Sequence, residues 1–468
     1  MRILKGFVLA SLVFFAFYIL FHNLGKPALD NWDEAWYGEV TKQILRTKDF
    51  IDLRWNGEYF FDKPPLYIWL SVLVSLIFGF SEFSLRFVSA LSGLIIIVLV
   101  LLYSYRKWGL VSSLIAFATL AFNNIFIWRS RSGNVDLLGS LFVLVSYFLR
   151  LSKIKNRHIL LGLVFAFIYL TRESLVIFPF TIFVLHEFLF ERKKLKNDIK
   201  DYGKLILIFL GIPSLWLIFG YSRLGNSFIE SVLNPNQRAG DISFSSFHLD
   251  YFWYTYYSLQ RRYFYVFIIG LLLLIKKIKK RMHFLLLAYS ILILIPLSFA
   301  QRNNNWYLIP SMPFWSLTIA YATYRFLKFH PVSKYLVIFP LALAFVISYK
   351  TYTINILPIL NTFSSSNQKE SGQIIKKLSK KNDIVIRLDH LYPATIFYSD
   401  RKVFSSPTQS NTKKFFLSRS DLIDGIKKEK YRWLVGESKE VDKFVNTYQD
   451  IDMKRIQVNQ SETIIKIN

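Results

Sequence analysis

Long apolar stretches, separated by short polar or basic segments, recur between residues 7 and 349 of the 468-residue chain. Most of them approach the roughly 20 residues with which an α-helix crosses the hydrocarbon core of a bilayer. Because several are short for a full crossing, the pattern predicts about eleven transmembrane helices, in a range of about ten to thirteen. The predicted helices are residues 7–24, 83–105, 110–127, 135–149, 159–170, 175–190, 205–221, 263–275, 284–300, 306–326 and 335–349.

Two segments between these helices, residues 25–81 and 222–262, are too long to be simple turns. After residue 360 the long apolar runs stop, and the serines at 364–366 read as a linker. Short amphipathic or strand-like runs follow at residues 374–378, 384–386, 431–435 and 464–467. The sequence therefore predicts an all-α polytopic membrane domain over residues 1–360 and a small soluble α/β domain over residues 361–468.

Composition supports a membrane protein. Hydrophobic residues make up 53% of the chain and aromatic residues 18%, which leaves too little polar surface for a soluble domain of this length. The chain has no cysteine, which excludes disulfides and thiolate metal sites. The first apolar run is long and is not followed by a small-residue cleavage site, so we interpret it as an uncleaved helix rather than a signal peptide.

The net charge of +27 comes from 58 Lys and Arg residues against 31 Asp and Glu residues. The basic residues cluster in short segments between apolar stretches and alternate with acidic or mixed loops, as the positive-inside rule describes. This placement favours contact with anionic membrane lipids over binding of nucleic acid. It predicts the cytoplasmic (inner) membrane as location, with the N-terminus in the cytoplasm and both long loops and the C-terminal domain outside it.

The first long loop is rich in carboxylates and aromatic rings, and an acidic pair, Asp33-Glu34, begins a segment with helical spacing. In that segment Trp36, Val40 and Ile44 share one face. The acidic pair has two interpretations. It can stabilise a helix N-terminus through the helix dipole, or it can supply a general base for an acceptor hydroxyl or amine at the membrane face.

The same loop contains Asp62-Lys63-Pro64-Pro65. Two prolines cannot lie inside a helix, so they predict an extended turn at which the next helix begins. Lys63 suits contact with a phosphate, and Asp62 could hold a metal or anchor the lysine. The alternative interpretation is a surface ion pair at a helix start.

Three segments resemble the first outer loop of the dolichyl- and polyprenyl-phosphate-sugar transferases, a group that includes the lipid A aminoarabinose transferases and relatives of the protein O-mannosyltransferases. They are Asp33-Glu34-Ala35-Trp36-Tyr37, residues 59–70 with the Asp-Lys-Pro-Pro turn, and Glu82 and Arg86 followed by Ser89-Ala90-Leu91. The resemblance implies the type C glycosyltransferase fold. It also implies an inverting transfer of a sugar from a polyprenyl-phosphate donor to a lipid, glycan or protein acceptor at the outer face of the membrane.

The resemblance also implies roles for single residues. They are Asp33, Glu34 and Asp136 for catalysis, Lys63, Tyr307, Arg262 and Arg302 for the donor phosphate, and Asp62 and His248 for a divalent metal (Zn, Mg or Mn). Asp136 has a second interpretation, as a helix cap or as a partner of Arg131. The chain departs from the aminoarabinose branch at Asp62, where that branch has glutamate, and at Ala35-Trp36, where a small residue and an arginine are common.

Two other classes of protein remain as alternatives. A lipid or glycan transporter or flippase would have repeated helix bundles with charges buried in mid-span, whereas the prominent charges here lie in predicted outer loops. Only the Lys-Pro-Pro loop argues against the interpretation as a polytopic scaffold without catalysis. Donor-dependent glycosyl transfer by the purified protein would separate the three.

Overall fold

The computed structural model describes residues 2–192, 198–233, 247–300, 303–329, 338–361, 367–407 and 415–468. Packing divides the chain into two compact units. The helical unit comprises Met1–Leu24, Phe61–Val74 and Arg86–Thr362. The mixed unit comprises Gly25–Phe60, Ser75–Leu85 and Phe363–Asn468. Much of the first long loop thus packs with the C-terminal residues, while the domain boundary at residues 360/361 stays a prediction.

The first helices in chain order are α1 (Arg2–Phe21), α2 (Asp33–Thr47), α3 (Leu66–Phe78), α4 (Glu82–Trp108), α5 (Leu110–Ala121), α6 (Asn124–Ser130), α7 (Asp136–Leu151), α8 (Arg157–Thr171), α9 (Ile177–Phe190), α10 (Ile199–Leu224) and α11 (Asn226–Leu233). They are followed by α12 (Asp250–Ser258), α13 (Arg262–Ile275), α14 (Arg281–Ile291), α15 (Leu294–Leu297), α16 (Met312–Phe329), α17 (Ile338–Thr351) and α18 (Leu357–Asn361). Short 3₁₀ helices span Glu173–Val176 and Asn305–Ser311, and a π-helical turn spans Tyr352–Ile356.

Among the described residues, four helices are long and apolar enough to cross a membrane, namely Ile3–Phe21, Glu82–Trp108, Glu173–Phe190 and Ile199–Leu224. The number rises to six if two bent pairs, α5 with α6 (65°) and α12 with α13 (109°), each count as one span. Four shorter apolar helices accompany them. A multi-pass membrane protein is thus confirmed, and the number of about eleven spans stays a prediction.

Every predicted helix has a helical counterpart, but two predictions needed correction. The segment 110–127 is bent at residues 122–123 rather than continuous, because Asn123 caps α6 by accepting a hydrogen bond from Phe126 N at 3.0 Å. The first loop ends before residue 81, because α3 occupies Leu66–Phe78. That run of 13 residues is short for a full crossing, so its length alone does not identify it as a span.

The core of the helical unit is rich in aromatic rings that meet edge to face. The ring of Tyr147 on α7 lies 5.6 Å from that of Tyr289 on α14 and 5.3 Å from that of Phe314 on α16. Helices α13 and α16 approach closely at Gly270, where an added Cβ would lie 2.8 Å from the backbone oxygen of Thr318. Such small-residue contacts are typical of packed membrane helices.

The mixed unit contains a hairpin of β1 (Arg54–Trp55) and β2 (Glu58–Tyr59), which turns at Asn56-Gly57 with positive φ at both residues, as two-residue hairpins favour. Its main sheet is formed by β3 (Ile384–Arg387), β4 (Lys402–Ser405), β5 (Tyr431–Glu437), β6 (Met453–Gln457) and β7 (Glu462–Ile467). The strand order is β4-β3-β5-β7-β6, with β4, β3 and β5 parallel and β7 antiparallel to β5 and β6.

Helices cover both faces of this sheet. They are α19 (Asn367–Leu378), α20 (Pro393–Ser399), α21 (Arg419–Lys427) and α22 (Ser438–Thr447). Val385 on β3 packs with residues of α19 and α20, whereas its neighbour Ile386 packs with residues of α21 and α22. The alternation of strand side chains therefore builds a three-layer α/β arrangement, and the predicted small α/β region is confirmed.

Candidate functional site

The turn between α6 and α7 is organised by Asn134. Its side-chain Nδ2 donates to the carbonyl oxygens of Arg129 (2.6 Å) and Ser132 (2.7 Å), and its Oδ1 accepts a hydrogen bond from Asp136 N at 2.9 Å. An asparagine that bonds to nearby backbone groups in this way favours a turn and a helix start over continued helix. Asn134 therefore fixes Asp136 as the first residue of α7.

Asp136 is buried and binds two arginines. Its Oδ2 accepts from Arg129 Nε at 2.9 Å and its Oδ1 accepts from Arg172 Nη1 at 3.3 Å. The side chains of Asp136 and Arg129 are 5% and 6% exposed, so this pair lies in an environment where charges interact strongly. The proposed pairing with Arg131 is wrong. Arg131 instead donates to backbone carbonyls at the end of α1, those of Ile19, Leu20 and His22.

Aromatic rings cover both arginines. The guanidinium carbon of Arg129 lies 5.4 Å from the ring of Trp128 and 5.2 Å from that of Trp306, and the guanidinium carbon of Arg172 lies 4.5 Å from the ring of Tyr307. Cations at these distances are attracted to the ring faces and lose rotational freedom. We call this set the arginine cluster: Trp128, Arg129, Asp136, Arg172, Trp306 and Tyr307.

The arginine cluster contains two predicted site residues, Asp136 and Tyr307, and two that sequence reasoning missed, Arg129 and Arg172. The Arg129-Ser130-Arg131 repeat marked this turn as basic, but it did not tell which arginine faces Asp136. Arg172 follows an apolar helix and carried no motif. Two guanidiniums held by one carboxylate and flanked by aromatic rings can bind an anionic group such as a phosphate.

The Lys-Pro-Pro turn starts α3 as the sequence predicted, since Trp69 N donates to Pro65 O at 2.9 Å in the first turn of that helix. Asp62 and Lys63 are half-buried there. A hydrogen-bonded chain connects α3 with the Asn134 turn. Ser89 Oγ lies 3.2 Å from the hydroxyl of Tyr67, the second residue of α3, and donates to Asn134 O at 2.8 Å. The helix that follows Lys63 and the turn that starts α7 are thereby held in fixed register.

The acidic pair lies at the start of α2 in the mixed unit. Glu34 is 2% exposed, and its Oε2 accepts a hydrogen bond from Asp30 N at 2.7 Å, so this carboxylate stabilises the start of the helix. Asp33 is the first residue of α2 and is half-buried. The two neighbouring carboxylates therefore have different surroundings.

Residues near the C-terminus bind α2 through an ion pair and hydrogen bonds. The Asp400 carboxylate accepts two hydrogen bonds of 2.6 Å from the Arg46 guanidinium, and Lys42 Nζ donates to Phe397 O at 2.7 Å. Burial raises the pKa of Asp400, but Arg46 and Lys42 outweigh it and lower the pKa to about 2. The ion pairs therefore persist at neutral pH.

Backbone groups also connect the first loop to the C-terminal residues of the mixed unit. Asn56 Nδ2 donates to Val403 O at 2.8 Å, and Val403 N donates to Asn56 Oδ1 at 2.9 Å. The hydroxyl of Tyr398 accepts from Leu29 N at 2.8 Å. The loop that carries Asp33 is thus held on both sides of that residue by residues beyond 390.

The predicted site residues His248 and Arg262 are not part of the arginine cluster. His248 Nε2 is 3.0 Å from Ala300 O, and its Nδ1 is 3.4 Å from Asp250 Oδ2. Arg262 is exposed at the first position of α13, and Arg302 lies outside the described residues. Within the described ranges no three His, Asp or Glu side chains form a group that could hold a metal ion. A metal on Asp62 and His248 therefore stays a prediction.

A second charged region is a cavity of about 410 Å³ in the helical unit. Among its lining residues are Lys107, Lys277, Arg325 and Lys328, none of which has a carboxylate partner within the part of the chain that the structure describes. The nearby charge of Arg325 lowers the pKa of Lys277. A cavity of this charge can bind an anionic group, and the contact with anionic lipids predicted from the basic segments stays a prediction.

Known proteins resemble this chain in sequence and in fold. The family model described as dolichyl-phosphate-mannose-protein mannosyltransferase matches residues 62–218, a range that includes Lys63, Asp136 and Arg172. ArnT from Cupriavidus metallidurans has the same fold, with a TM-score of 0.78 at 13% identity over 98% of this chain and 97% of that one. The chain resembles the polyprenyl-phosphate-sugar glycosyltransferases of the type C fold. The resemblance predicted from the sequence is confirmed.

Proteins with similar sequences differ in how much of this chain they match. An uncharacterized protein of Aquifex aeolicus (strain VF5) is 23% identical over 97% of both chains. The undecaprenyl phosphate-alpha-4-amino-4-deoxy-L-arabinose arabinosyl transferase 1 of Pseudomonas fluorescens (strain Pf0-1) is 28% identical over 23% of this chain, which spans 18% of that transferase. The Archaeoglobus fulgidus oligosaccharyltransferase, solved in complex with Zn and sulfate, has a TM-score of 0.61 at 14% identity, over 91% of this chain and 68% of that one.

Proposed function

We propose that the protein is an inverting glycosyltransferase of the cytoplasmic membrane that moves a sugar from a polyprenyl-phosphate donor to a lipid, glycan or protein acceptor at the outer face. The observation that carries the proposal is the hydrogen-bonded chain from Tyr67 through Ser89 to Asn134. This chain couples the helix that follows Lys63 to the turn that presents Asp136, two positions that the family model includes. A structure of ArnT bound to undecaprenyl phosphate has the same fold, with a TM-score of 0.76 at 13% identity.

Lys63, Arg129 and Arg172 are the cations that would bind the donor phosphate. When the bond between the anomeric carbon and the phosphate oxygen breaks, the phosphodiester with one negative charge becomes a phosphomonoester with up to two. Fixed cations stabilise this developing charge more than they stabilise the bound donor, and so they increase the rate. We assign this role to Lys63 and to Arg129 and Arg172 of the arginine cluster, with Tyr307 stacked on Arg172. Arg262 and Arg302 remain further candidates.

The acceptor needs a base. In the proposed reaction the Asp33 carboxylate removes the proton from the acceptor hydroxyl or amine, which attacks the anomeric carbon from the face opposite the phosphate and inverts its configuration. The polyprenyl phosphate leaves with the bonding electrons. Glu34 stabilises the start of α2, and Asp136 orients the two arginines. No step is assigned to a metal on Asp62 and His248, because the described residues do not form such a site.

The mixed unit would serve the acceptor side. Within this unit, residues beyond 390 bond to the first loop on both sides of Asp33, which favours a role in holding that carboxylate in place. We propose that this unit lies outside the cytoplasm and that the N-terminus lies inside, as the distribution of lysines predicts.

The proposal is tested with purified protein in lipid nanodiscs, given polyprenyl-phosphate sugars of several kinds and an envelope extract as the source of acceptor. Mass spectrometry should detect free polyprenyl phosphate and a glycosylated acceptor in equal amounts. Asp33→Asn should abolish both while donor binding persists, because it removes the base and keeps the shape. Movement of intact donor between leaflets in proteoliposomes, without sugar transfer, would instead establish the flippase alternative.

A further inference from the structure

The cavity of about 410 Å³ lies between the ends of α4 and α16 and the segment that joins α13 to α14. We call it the basic cavity, after the four cations on its lining: Lys107, Lys277, Arg325 and Lys328. They come from three separate parts of the chain, so only the packing of the helices brings them together. Like charges at one place repel each other, and the charge of Arg325 lowers the pKa of Lys277.

The segments that form the basic cavity cannot neutralise these cations themselves. The sequence has no Asp or Glu between residues 83 and 135, which include the end of α4, or between residues 251 and 369, which include α13, α14 and α16. Arg281, which is not on the lining, differs from these cations because it pairs with Glu191 at the end of α9. Within the part of the chain that the structure describes, no carboxylate lines the cavity. An anion from outside the chain would supply the missing charge.

Arg325 is held against the buried floor of the basic cavity. Its Nη1 donates to the hydroxyl of Tyr321 at 3.4 Å, and that hydroxyl also lies 3.0 Å from Nε2 of His283. The ring of Trp108 lies 5.8 Å from that of Tyr321, and the guanidinium carbon of Arg325 lies 5.1 Å from the ring of Phe329. A guanidinium held in this way offers fixed donors, and the three lysines add compact positive charges. Both are groups that bind phosphate oxygens.

The basic cavity and the arginine cluster lie at opposite ends of the same helices. On α4, Ser89 donates to Asn134 O in the turn of the arginine cluster, and Lys107 is in the last turn. At about 1.5 Å of rise per residue, these two positions on α4 are about 27 Å apart, close to the ~30 Å of a hydrocarbon core. In the same way, α16 directly follows the 3₁₀ helix that carries Tyr307, and Lys328 is in its last turn. The two sites therefore face opposite sides of the membrane.

The surroundings of the basic cavity favour a lipid over a soluble anion. Phe329, which lines the cavity, is 68% exposed, and Phe326 is 48% exposed. Exposed rings beside cations fit a ligand with a charged head and an apolar tail, and basic pockets between transmembrane helices bind the phosphate headgroups of anionic lipids. We propose that the basic cavity binds the phosphate group of an anionic lipid, in the leaflet opposite the arginine cluster. This site does not depend on the proposed glycosyl transfer.

The test is native mass spectrometry of the purified full chain in a neutral detergent, titrated with phosphatidylglycerol or with phosphatidylcholine. Both lipids carry a phosphate, but only phosphatidylglycerol has a net negative charge. The wild-type protein should prefer phosphatidylglycerol. The combined variant Lys107→Gln, Lys277→Gln and Lys328→Gln should lower the ratio of the two affinities by about tenfold, because three cations near the headgroup are removed.

The matched control is the combined variant Lys153→Gln, Lys276→Gln and Lys279→Gln, which removes three exposed lysines that do not line the basic cavity. Its net charge changes equally, but it should keep the preference of the wild-type protein. Equal losses in the two variants, or no loss in either, would overturn the proposal. Thermal unfolding without lipid checks that both variants fold. If the cavity variant does not fold, Lys328→Gln compared with Lys279→Gln gives the same test with a smaller expected loss.

Calorimetry with inorganic phosphate distinguishes a soluble anion from a lipid. Inorganic phosphate should bind more weakly than phosphatidylglycerol, because it has no apolar tail to contact the exposed rings. If inorganic phosphate bound as tightly, and the cavity variant lost that binding, the basic cavity would be a site for a soluble phosphate compound and the lipid assignment would be wrong. None of these measurements needs a sugar donor, so a failure of the proposed transfer would leave their outcome unchanged.

Discussion

The two units contain buried arginines in different charge surroundings. In the mixed unit, Arg387 is fully buried and its guanidinium lies 2.7 Å from both Asp389 and Glu462. This arginine is surrounded by carboxylates, and the two acids raise its pKa against the effect of burial. In the helical unit the surroundings vary, because Arg150 pairs with Glu187 and Glu191, whereas Arg129 and Arg172 share the carboxylate of Asp136.

We expect this difference to separate structural ion pairs from a site that binds an anion. A buried cation between two acids has its charge neutralised within the protein and has little capacity to bind an external anion. At the Asp136 carboxylate two guanidiniums meet one acid, with the rings of Trp306 and Tyr307 over them. We propose the arginine cluster as an anion site because two cations meet at one carboxylate there, whereas burial alone does not distinguish these arginines from Arg387.

The most severe test of this distinction is Lys63→Ala. If Lys63 supplies part of the positive charge that stabilises the leaving phosphate, its loss should lower kcat by roughly a hundredfold, or about 3 kcal/mol in the barrier. Lys63→Arg should restore part of the rate, because a planar guanidinium does not replace a compact ammonium. Single-turnover and steady-state kinetics measure both, with Lys381→Ala on the surface of the mixed unit as control. A higher donor KM at unchanged kcat would make Lys63 a docking residue.

A smaller effect is expected from Asp136→Asn, which probes the cluster itself. Without the carboxylate, the two guanidiniums lose their common acceptor and repel each other. We expect kcat/KM to fall by about tenfold, with contributions from both kcat and the donor KM, as for the loss of one charged hydrogen-bond partner. Asp136→Glu should recover part of the activity. If Asp136→Asn only lowered thermal stability and left both constants intact, the carboxylate would be purely structural.

The smallest effect on catalysis should come from Asp400→Asn in the mixed unit. Asp400 has a positive φ of 55°, which asparagine tolerates, so the change removes charge with little backbone strain. Losing the bidentate pair with Arg46 should destabilise the contact with α2 by about 2 kcal/mol. Hydrogen exchange at backbone amides of α2 should then increase, while Lys443→Gln, at an exposed ion pair, should leave it unchanged.

This contact should also depend on pH with a defined sign. Because the pKa of Asp400 is lowered to about 2 in the folded protein, its ion pairs stabilise the mixed unit fully above the pKa of this carboxyl in the unfolded chain, which is about 3.9. The stabilisation is lost as pH falls from about 4 towards 2. Asp400→Asn should show less of this acid dependence in unfolding experiments. An identical acid transition in both proteins would show that other groups control it.

The local features of the chain could be predicted from its sequence. Pro64 and Pro65 fix where α3 begins because neither can lie inside a helix, and alternation or periodicity in short runs identified strands such as β3 and the apolar face of α2. The apolar runs gave the helices of the membrane region. Each of these properties depends on residues within a few positions of one another, which is why a sequence pattern is enough to predict them.

Other properties depend on contacts between residues far apart in the chain, and only the tertiary structure decided them. Arg129 and Arg131 are two positions apart, yet one binds Asp136 and the other binds carbonyls at the end of α1, because α1 packs beside that turn. The ion pair between α2 and Asp400 joins residues separated by more than 350 positions. The sequence alone determined which local elements form and which residue types can perform the chemistry. The packing of those elements determined which charges are neutralised and which remain available to a ligand, because burial and pairing are properties of neighbours in space.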